Sequence, residues 1–343
     1  MNPRKIISLG FVHRYYSLII GIFIVLTVSG CSKTDNTSSK PNSASTEDCR
    51  VIQHAMGETC VPFNPQRIVV LDYLMLSNTI ALDKKPVGSP LKYADPDLKT
   101  GIVDLGDSSA INLERVLALQ PDLILGITNY APPYSQLTQI APTVVMNFKH
   151  NGDWKEHFAF VGEALGKSDE VEQIMADYYQ RVAEFKQKIK AKNDNLKLEG
   201  SDEIQEISIV RIDSTEIRLY TKTGMMGTIL EDAGLSRPPS QDLGFEATKA
   251  LGSNPIHYPI SREVLDKADG DAIFLIVDYW DSQIEGSLDS LKTDPLWSTL
   301  DAVKQNKVYE VPASDWVSSG PIAANAILDD LFEYLLPQHE SSN

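Results

Sequence analysis

One long helical pattern constrains the fold of this chain more than any other feature. Between residues 168 and 191, apolar side chains recur at three- and four-residue spacing, which is typical of a helix with one buried stripe. Ser168 can cap its start, and lysines gather at its other end, where the helix dipole favours cations. No Gly or Pro interrupts the segment. At ~1.5 Å per residue, the pattern predicts a stiff rod roughly 35 Å long.

The sequences on either side of this rod follow one plan. Each side has a continuous apolar run, then a helical pattern, then a short helix and a second apolar run. Three pairs of matching residues share one offset: Ile80 with Ile229, Glu114 with Glu263, and Asp122 with Asp271. We therefore expect two similar α/β lobes joined by the rod, with a parallel sheet in the first lobe.

The N-terminus has the character of an export signal. Basic residues precede an apolar run at 18–28, which is too short to span a membrane and suits a secretory signal. Small residues lie directly ahead of Cys31 and resemble the bacterial lipobox. Residues 1–30 are therefore predicted to be a lipoprotein signal peptide, with Cys31 as the lipid-bearing first residue of the mature chain. An ordinary signal peptide with an incidental Cys is the alternative.

The other two cysteines, Cys49 and Cys60, flank an alternating pattern around Gly57 that predicts a hairpin. In an exported protein the two thiols would oxidise across it. A metal site with His54 is the alternative, but the spacing matches no common zinc pattern. We expect a structural disulfide.

These features divide the chain into consecutive segments. The Ser-, Thr-, Asn- and Lys-rich stretch after the signal predicts a disordered tether. The predicted segments are a signal peptide at 1–30, the tether at 31–48, an N-terminal lobe with its hairpin at 49–150, a helical bridge at 151–194 and a C-terminal lobe at 195–338. The formal net charge of −16 argues against binding to nucleic acid, because the phosphate backbone is also negatively charged.

Ligands of such sheets bind beyond the carboxyl ends of the strands. Aromatic and basic residues occupy that position in both predicted lobes. We expect Tyr73, Tyr134 and Tyr279 to have packing roles. The candidate ligand-binding residues are Tyr130, Arg211, Arg218, Tyr220, Trp280 and Trp316. The two tryptophans stand out because they lie in polar loop contexts with no apolar stripe to join.

Arg211 interrupts an apolar strand that should be buried, where an unpaired charge would cost several kcal/mol. It therefore needs an anionic partner. That partner is either a carboxylate of the protein, such as Asp213, or a carboxylate or hydroxamate of a ligand. Both alternatives remain open from the sequence.

Several motifs together resemble the helix-bridged periplasmic binding proteins that serve iron–siderophore ABC importers. The resemblance extends from about residue 49 to 336 and rests on PQRIVVLD at 65–72, NLE at 112–114, PDLILG at 121–126, QIAPT at 139–143, DPLW at 294–297 and GPIAAN at 320–325. It implies the class III fold, which is two Rossmann-like lobes bridged by one long helix. It agrees with the rod and the duplicated plan.

The resemblance also implies a function. Such a protein is a monomer, lipid-anchored on the extracytoplasmic (periplasmic) side of the membrane. It captures a ferric siderophore between its lobes and delivers it to an ABC permease powered by an ATPase. It uses no cofactor, binds no metal directly and is not an enzyme. Hydroxamate-binding relatives have an arginine shortly before the NLE motif, where this chain has Ser108 and Ser109. A citrate-based siderophore with a carboxylate for Arg211 fits as well as a hydroxamate, or better.

Members of this family dock on the permease through one exposed Glu on each lobe. Glu231 matches the second-lobe position, whereas Ser77 stands at the first-lobe position. Asp72 or a nearby acid is the expected substitute. Because a continuous helix resists bending, we expect only a small lobe movement on binding.

Three other interpretations remain as alternatives. An enzyme is disfavoured because the sequence has no Gly-x-Ser-x-Gly elbow, and the phosphate-loop-like segment at 162–168 is one residue short and follows a helix. Direct binding of zinc or manganese requires converging His and carboxylate ligands, and only His150 lies near a predicted strand end. Haem or cobalamin is possible, although no residue argues for either.

Overall fold

A computed structural model of the protein describes residues 49–92, 94, 96–129, 132–198, 203–252, 254–279 and 281–336. The predicted signal peptide, the tether with Cys31, and the candidate residues Tyr130 and Trp280 lie outside the described residues. Over the described part of the chain, no helix combines the length and apolar character needed to cross a bilayer.

The described chain begins with the predicted hairpin, formed by β1 (Cys49–His54) and β2 (Gly57–Pro62). Cys49 and Cys60 form a disulfide across it, with their Cα atoms 5.5 Å apart, so the predicted pairing is confirmed. His54 does not join the cysteines in a metal site. Its Nε2 lies 2.8 Å from the Thr59 Oγ1 on the opposite strand.

The first half of the protein is an α/β unit around a five-stranded sheet. Its elements are β3 (Ile68–Val70), α1 (Tyr73–Ala81), β4 (Gly88–Ser89), β5 (Val103–Asp104), β6 (Gly106–Asp107), β7 (Ala110–Ile111), α2 (Leu113–Ala118), β8 (Leu123–Ile127), α3 (Tyr134–Leu137), β9 (Thr143–Met146) and α4 (Trp154–Leu165). The strand order is β5-β4-β3-β8-β9 and all pairings are parallel, as predicted. Two buried apolar clusters lie around this sheet.

The predicted rod is present as α5 (Ser168–Leu198), an uninterrupted helix of 31 residues that extends beyond the predicted end. At ~1.5 Å per residue it is about 46 Å long. Val171 near its start is buried in the core of the first half. Residues farther along, such as Tyr178 and Phe185, are buried in the core of the second half. The helix therefore packs into both halves.

The second half repeats the plan with one difference. Its elements are β10 (Ile207–Ile212), β11 (Ile217–Tyr220), α6 (Met225–Asp232), α7 (Phe245–Gly252), β12 (His257–Ile260), β13 (Ala272–Val277), α8 (Ile284–Lys292), α9 (Asp301–Lys304), β14 (Val308–Pro312), α10 (Ala313–Trp316) and α11 (Pro321–Leu335). The sheet order is β12-β11-β10-β13-β14. β11 is antiparallel to both neighbours. The turn at 213–216, which joins it to β10, is too short for a parallel crossover.

The two halves also touch where α1 meets the start of α11. The hydroxyl of Ser77 donates a hydrogen bond to the backbone carbonyl of Ser319. Gly320 has φ of +91°, and a Cβ at this position would clash with the Asn78 side chain. Only glycine allows both this backbone conformation and this close approach.

Candidate ligand-binding cavity

A cavity of about 630 Å³ lies between the two halves, within the usual size range of small-molecule sites. Its wall is formed by residues at or just beyond the carboxyl ends of β3, β10, β13 and β14, where the topology places ligands in α/β sheets. The described residues that line it are Tyr73, Lys92, Arg211, Asp213, Ser214, Thr215, Glu216, Arg218, His257, Asp278, Asp281, Ala313, Val317 and Ser318.

Two arginines dominate the wall contributed by the second half. Arg211 on β10 is directly opposite Arg218 on β11 in the antiparallel ladder, so both side chains lie on the same face of the sheet. Like charges in directly opposite positions destabilise a sheet. Nearby carboxylates must therefore compensate for the two guanidinium groups.

Asp278, directly after β13, compensates for Arg211. The Arg211 Nη2 donates to both Asp278 carboxylate oxygens, at 3.1 and 2.7 Å, and Nη1 donates to the Tyr220 hydroxyl at 3.1 Å. Burial alone would lower the pKa of Arg211, but Tyr220 and Asp278 raise it above its usual value. The partner of Arg211 is thus a carboxylate of the protein, and it is Asp278 rather than Asp213.

The turn between β10 and β11 compensates for Arg218. The Arg218 Nη1 lies 2.6 Å from the Asp213 Oδ2, and its Nε donates to Glu216. Asp213 also accepts hydrogen bonds from the backbone amides of Thr215 and Glu216, at 2.8 and 3.0 Å. Burial would raise the pKa of Asp213, but these hydrogen bonds and Arg218 keep it below its usual value. Asp213 is therefore a carboxylate near neutral pH.

His257 adds a neutral group to the wall. It lies opposite Tyr220 in the β11–β12 ladder, with ring centroids 5.0 Å apart. Burial lowers the pKa of His257 to about 4, and the neighbouring Arg218 and Arg211 act in the same direction. At pH 7 the imidazole is therefore uncharged.

The structure separates the predicted ligand-binding residues into three groups. Arg211 and Arg218 line the cavity. Tyr220 is 1% exposed, so it supports Arg211 from behind and is not part of the wall. Trp316 was wrongly predicted as a ligand contact, because it is fully buried. Its ring stacks on Phe274 with centroids 4.8 Å apart, and its Nε1 donates to Asp330 at 2.6 Å.

The sequence interpretation also overlooked cavity residues. Tyr73 was expected to pack against the protein, yet it lines the cavity as the first residue of α1. Asp278 follows an apolar run, so the rule on carboxyl ends of strands would have found it. His257 could not be found this way, because it reaches the wall only through the unexpected β10–β11 hairpin.

The predicted docking positions differ in exposure. Glu231 is exposed near the end of α6. Ser77 is buried, and so is Asp72, whose Oδ1 accepts the Leu74 backbone amide at 2.8 Å as the N-cap of α1. The expectation that Asp72 substitutes for a docking Glu is therefore wrong, because its carboxylate is inside the protein.

Two of the alternatives from the sequence can be compared with the structure. Within the described ranges, no three His, Cys, Asp or Glu side chains come together as a group that could hold a metal ion. The phosphate-loop-like segment ends α4, where Gly166 has φ of +67° and its amide bonds to the Glu163 carbonyl. It is a helix C-cap, as predicted, and not a phosphate loop.

Residues 68–314 match a protein family described as periplasmic binding protein, and the chain belongs to that family. It is 31% identical over 332 residues to the probable siderophore-binding lipoprotein YfiY of Bacillus subtilis (strain 168), covering 93% of this chain and 97% of that protein. It is 30% identical over 344 residues to the Fe(3+)-citrate-binding protein YfmC of the same organism, covering 93% and 98%.

Among solved structures, the protein resembles Staphylococcus aureus SirA complexed with staphyloferrin B, with a TM-score of 0.69 and 28% identity. The match covers 83% of this chain and 98% of SirA. The predicted fold, two Rossmann-like α/β lobes bridged by one long helix, is confirmed.

Proposed function

We propose that this protein is the substrate-binding component of an iron ABC importer and that it binds a ferric siderophore in the cavity between its lobes. The observation that carries the proposal is the position of Arg211 and Arg218, side by side on a cavity wall at the carboxyl ends of the strands. The names of the relatives support the same ligand class. A chelated iron also suits a cavity of this volume better than a bare ion does.

We expect the protein to work with little lobe movement. The α5 helix packs into both cores, and a hydrogen bond between Ser77 and Ser319 connects α1 to the start of α11. Lys155 on α4 also pairs with Asp232 on α6 at 2.6 Å. These contacts hold α6 in place, so that Glu231 at its end can contact the permease of the importer. The protein would act as a monomer with that permease and its ATPase, without catalysing a reaction.

We further propose that the mature protein is held on the extracytoplasmic side of the membrane by a lipid on Cys31. Residues 31–48 would be a tether, followed by lobes at 49–150 and 195–338 and a bridge at 151–194. A Cys31→Ser variant expressed in cells should lose incorporation of labelled palmitate and leave the membrane fraction. Unchanged lipid labelling of that variant would contradict this assignment.

The binding proposal is tested by titrating the purified protein with a panel of ferric siderophores and their iron-free forms, following tryptophan fluorescence. Ferric forms should quench it saturably at one site per chain. An Arg218→Ala variant should bind the same ferric ligand at least tenfold more weakly, whereas Arg262→Ala, outside the cavity, should bind it normally. Tight stoichiometric zinc binding with no ferric siderophore bound would overturn the proposal.

A further inference from the structure

We propose that this cavity selects its ferric siderophore by charge, binding chelates of zero or positive net charge and disfavouring anionic ones. The inference rests on the proposed function and narrows the ligand class. It departs from the sequence expectation that a citrate-type carboxylate would bind Arg211. The reasons are the hydrogen bonds that the two arginines already make and the balance of charge on the cavity wall.

The first reason is that protein carboxylates already occupy much of the donor capacity of both guanidinium groups. Arg211 donates to Asp278 and Tyr220, and its side chain is only 16% exposed. Arg218 donates to Asp213 and Glu216, and its side chain is 17% exposed. A ligand carboxylate would have to share or displace these partners, and breaking a buried ion pair leaves an uncompensated charge.

The second reason is the total charge of the wall. Among the described residues that line the cavity, three side chains are cationic and four are anionic, a formal balance of −1. Lys92, the third cation, is itself 3.8 Å from Asp107. His257 does not change the balance at pH 7, because burial lowers its pKa to about 4. The guanidinium groups are therefore embedded in an excess of carboxylates.

Such a wall suits a neutral or cationic chelate. Remaining N–H groups of the arginines and the neutral imidazole of His257 can bind ligand oxygens without adding charge. A ligand ammonium group would be attracted by Glu216 and Asp281. An anionic ligand would instead meet a wall of net negative charge, in a protein whose formal net charge is −16.

The test uses one chelating scaffold with three charges. A linear trihydroxamate with a terminal amine gives a ferric complex of charge +1, its N-acetyl derivative gives 0, and its N-succinyl derivative gives −1. Affinities are measured by fluorescence titration at low salt and at high salt, alongside ferric citrate. We expect the −1 chelate to bind about tenfold more weakly than the neutral one. This difference in affinity between the −1 and neutral chelates should become smaller at high salt.

A matched pair of variants assigns the effect to the cavity. Glu216→Gln removes one carboxylate from the cavity wall and keeps a side-chain oxygen that can accept a hydrogen bond from Arg218. It should therefore tighten binding of the −1 chelate several-fold relative to the +1 chelate. Glu246→Gln, on the exposed surface of α7, changes the net charge of the protein by the same amount. It should leave the ratio of the affinities for the −1 and +1 chelates unchanged. Asp278→Asn provides a second wall variant, and circular dichroism confirms that each variant is folded.

The outcomes separate the inference from the proposed function. Equal or tighter binding of the −1 chelate, or ferric citrate as the tightest ligand, would overturn the charge inference and leave the function standing. An unchanged ratio in both folded wall variants would also overturn it. If no ferric chelate of any charge binds, both the function and the inference fail.

Discussion

The ion pair between Arg211 and Asp278 should contribute strongly to stability, because both side chains are largely buried. Their side chains are 16% and 6% exposed, and their closest nitrogen–oxygen distance is 2.7 Å. Replacing one partner leaves the other charge in a weakly solvated site. We therefore expect Arg211→Met and Asp278→Ala each to lower the free energy of unfolding by about 3–5 kcal/mol.

The double variant should be less destabilised than the sum of the two single variants. It removes both charges and leaves no uncompensated ion, so an interaction free energy of about 2 kcal/mol or more is expected. Urea unfolding of all four proteins, followed by circular dichroism, measures this quantity. The surface pair of Lys190 and Asp194 on α5 is the control, because its side chains are 74% and 54% exposed.

The control pair should show an interaction free energy of about 0.5 kcal/mol or less, since solvent screens exposed ion pairs. If the Arg211 and Asp278 effects are additive within about 0.5 kcal/mol, the pair is not coupled as the structure indicates. Single variants as stable as the parent protein would contradict the reasoning in the same way.

Three further predictions concern the stability of the fold. Burial raises the pKa of Asp72 from 3.8 to about 6, which corresponds to about 3 kcal/mol against the ionised form. The Asp72→Asn variant should therefore be more stable than the parent protein in urea unfolding at pH 8. This difference in the free energy of unfolding should disappear as the pH falls through 6 towards 4, and a difference that does not change with pH would contradict the reasoning. Gly320→Ala should lower the midpoint of thermal unfolding by an amount that corresponds to a loss of about 1–3 kcal/mol in the free energy of unfolding. Gly286→Ala, in open space on α8, should be neutral or stabilising, and equal effects would refute the strain at Gly320. Replacing Cys49 and Cys60 by Ser should cost about 3 kcal/mol in urea unfolding, and no loss would show that the disulfide does not constrain the unfolded chain.

Features set by local physics were predictable from the sequence. The α5 helix follows from an apolar stripe that no Gly or Pro interrupts. The hairpin and its disulfide follow from alternation between Cys49 and Cys60. The parallel order of the first sheet follows from continuous apolar strands that alternate with helices.

Features set by distant contacts were not predictable in this way. Asp278 lies far from Arg211 in sequence, and the parallel pairing of β10 with β13 brings them together. The antiparallel β11 places Arg218 beside Arg211, which a strictly duplicated plan does not anticipate. Trp316 looked like an isolated loop residue, but the short α10 helix turns its ring onto Phe274.

The central claim is that iron enters as a chelate and rests between the two lobes. Crystals of the protein grown with a ferric siderophore can be measured at the iron absorption edge, where anomalous scattering locates the metal directly. We predict one iron peak per chain inside the cavity bordered by Tyr73, Arg211 and Arg218, with no protein side chain coordinating it. An iron peak outside that cavity, or iron coordinated directly by protein side chains, would contradict the account.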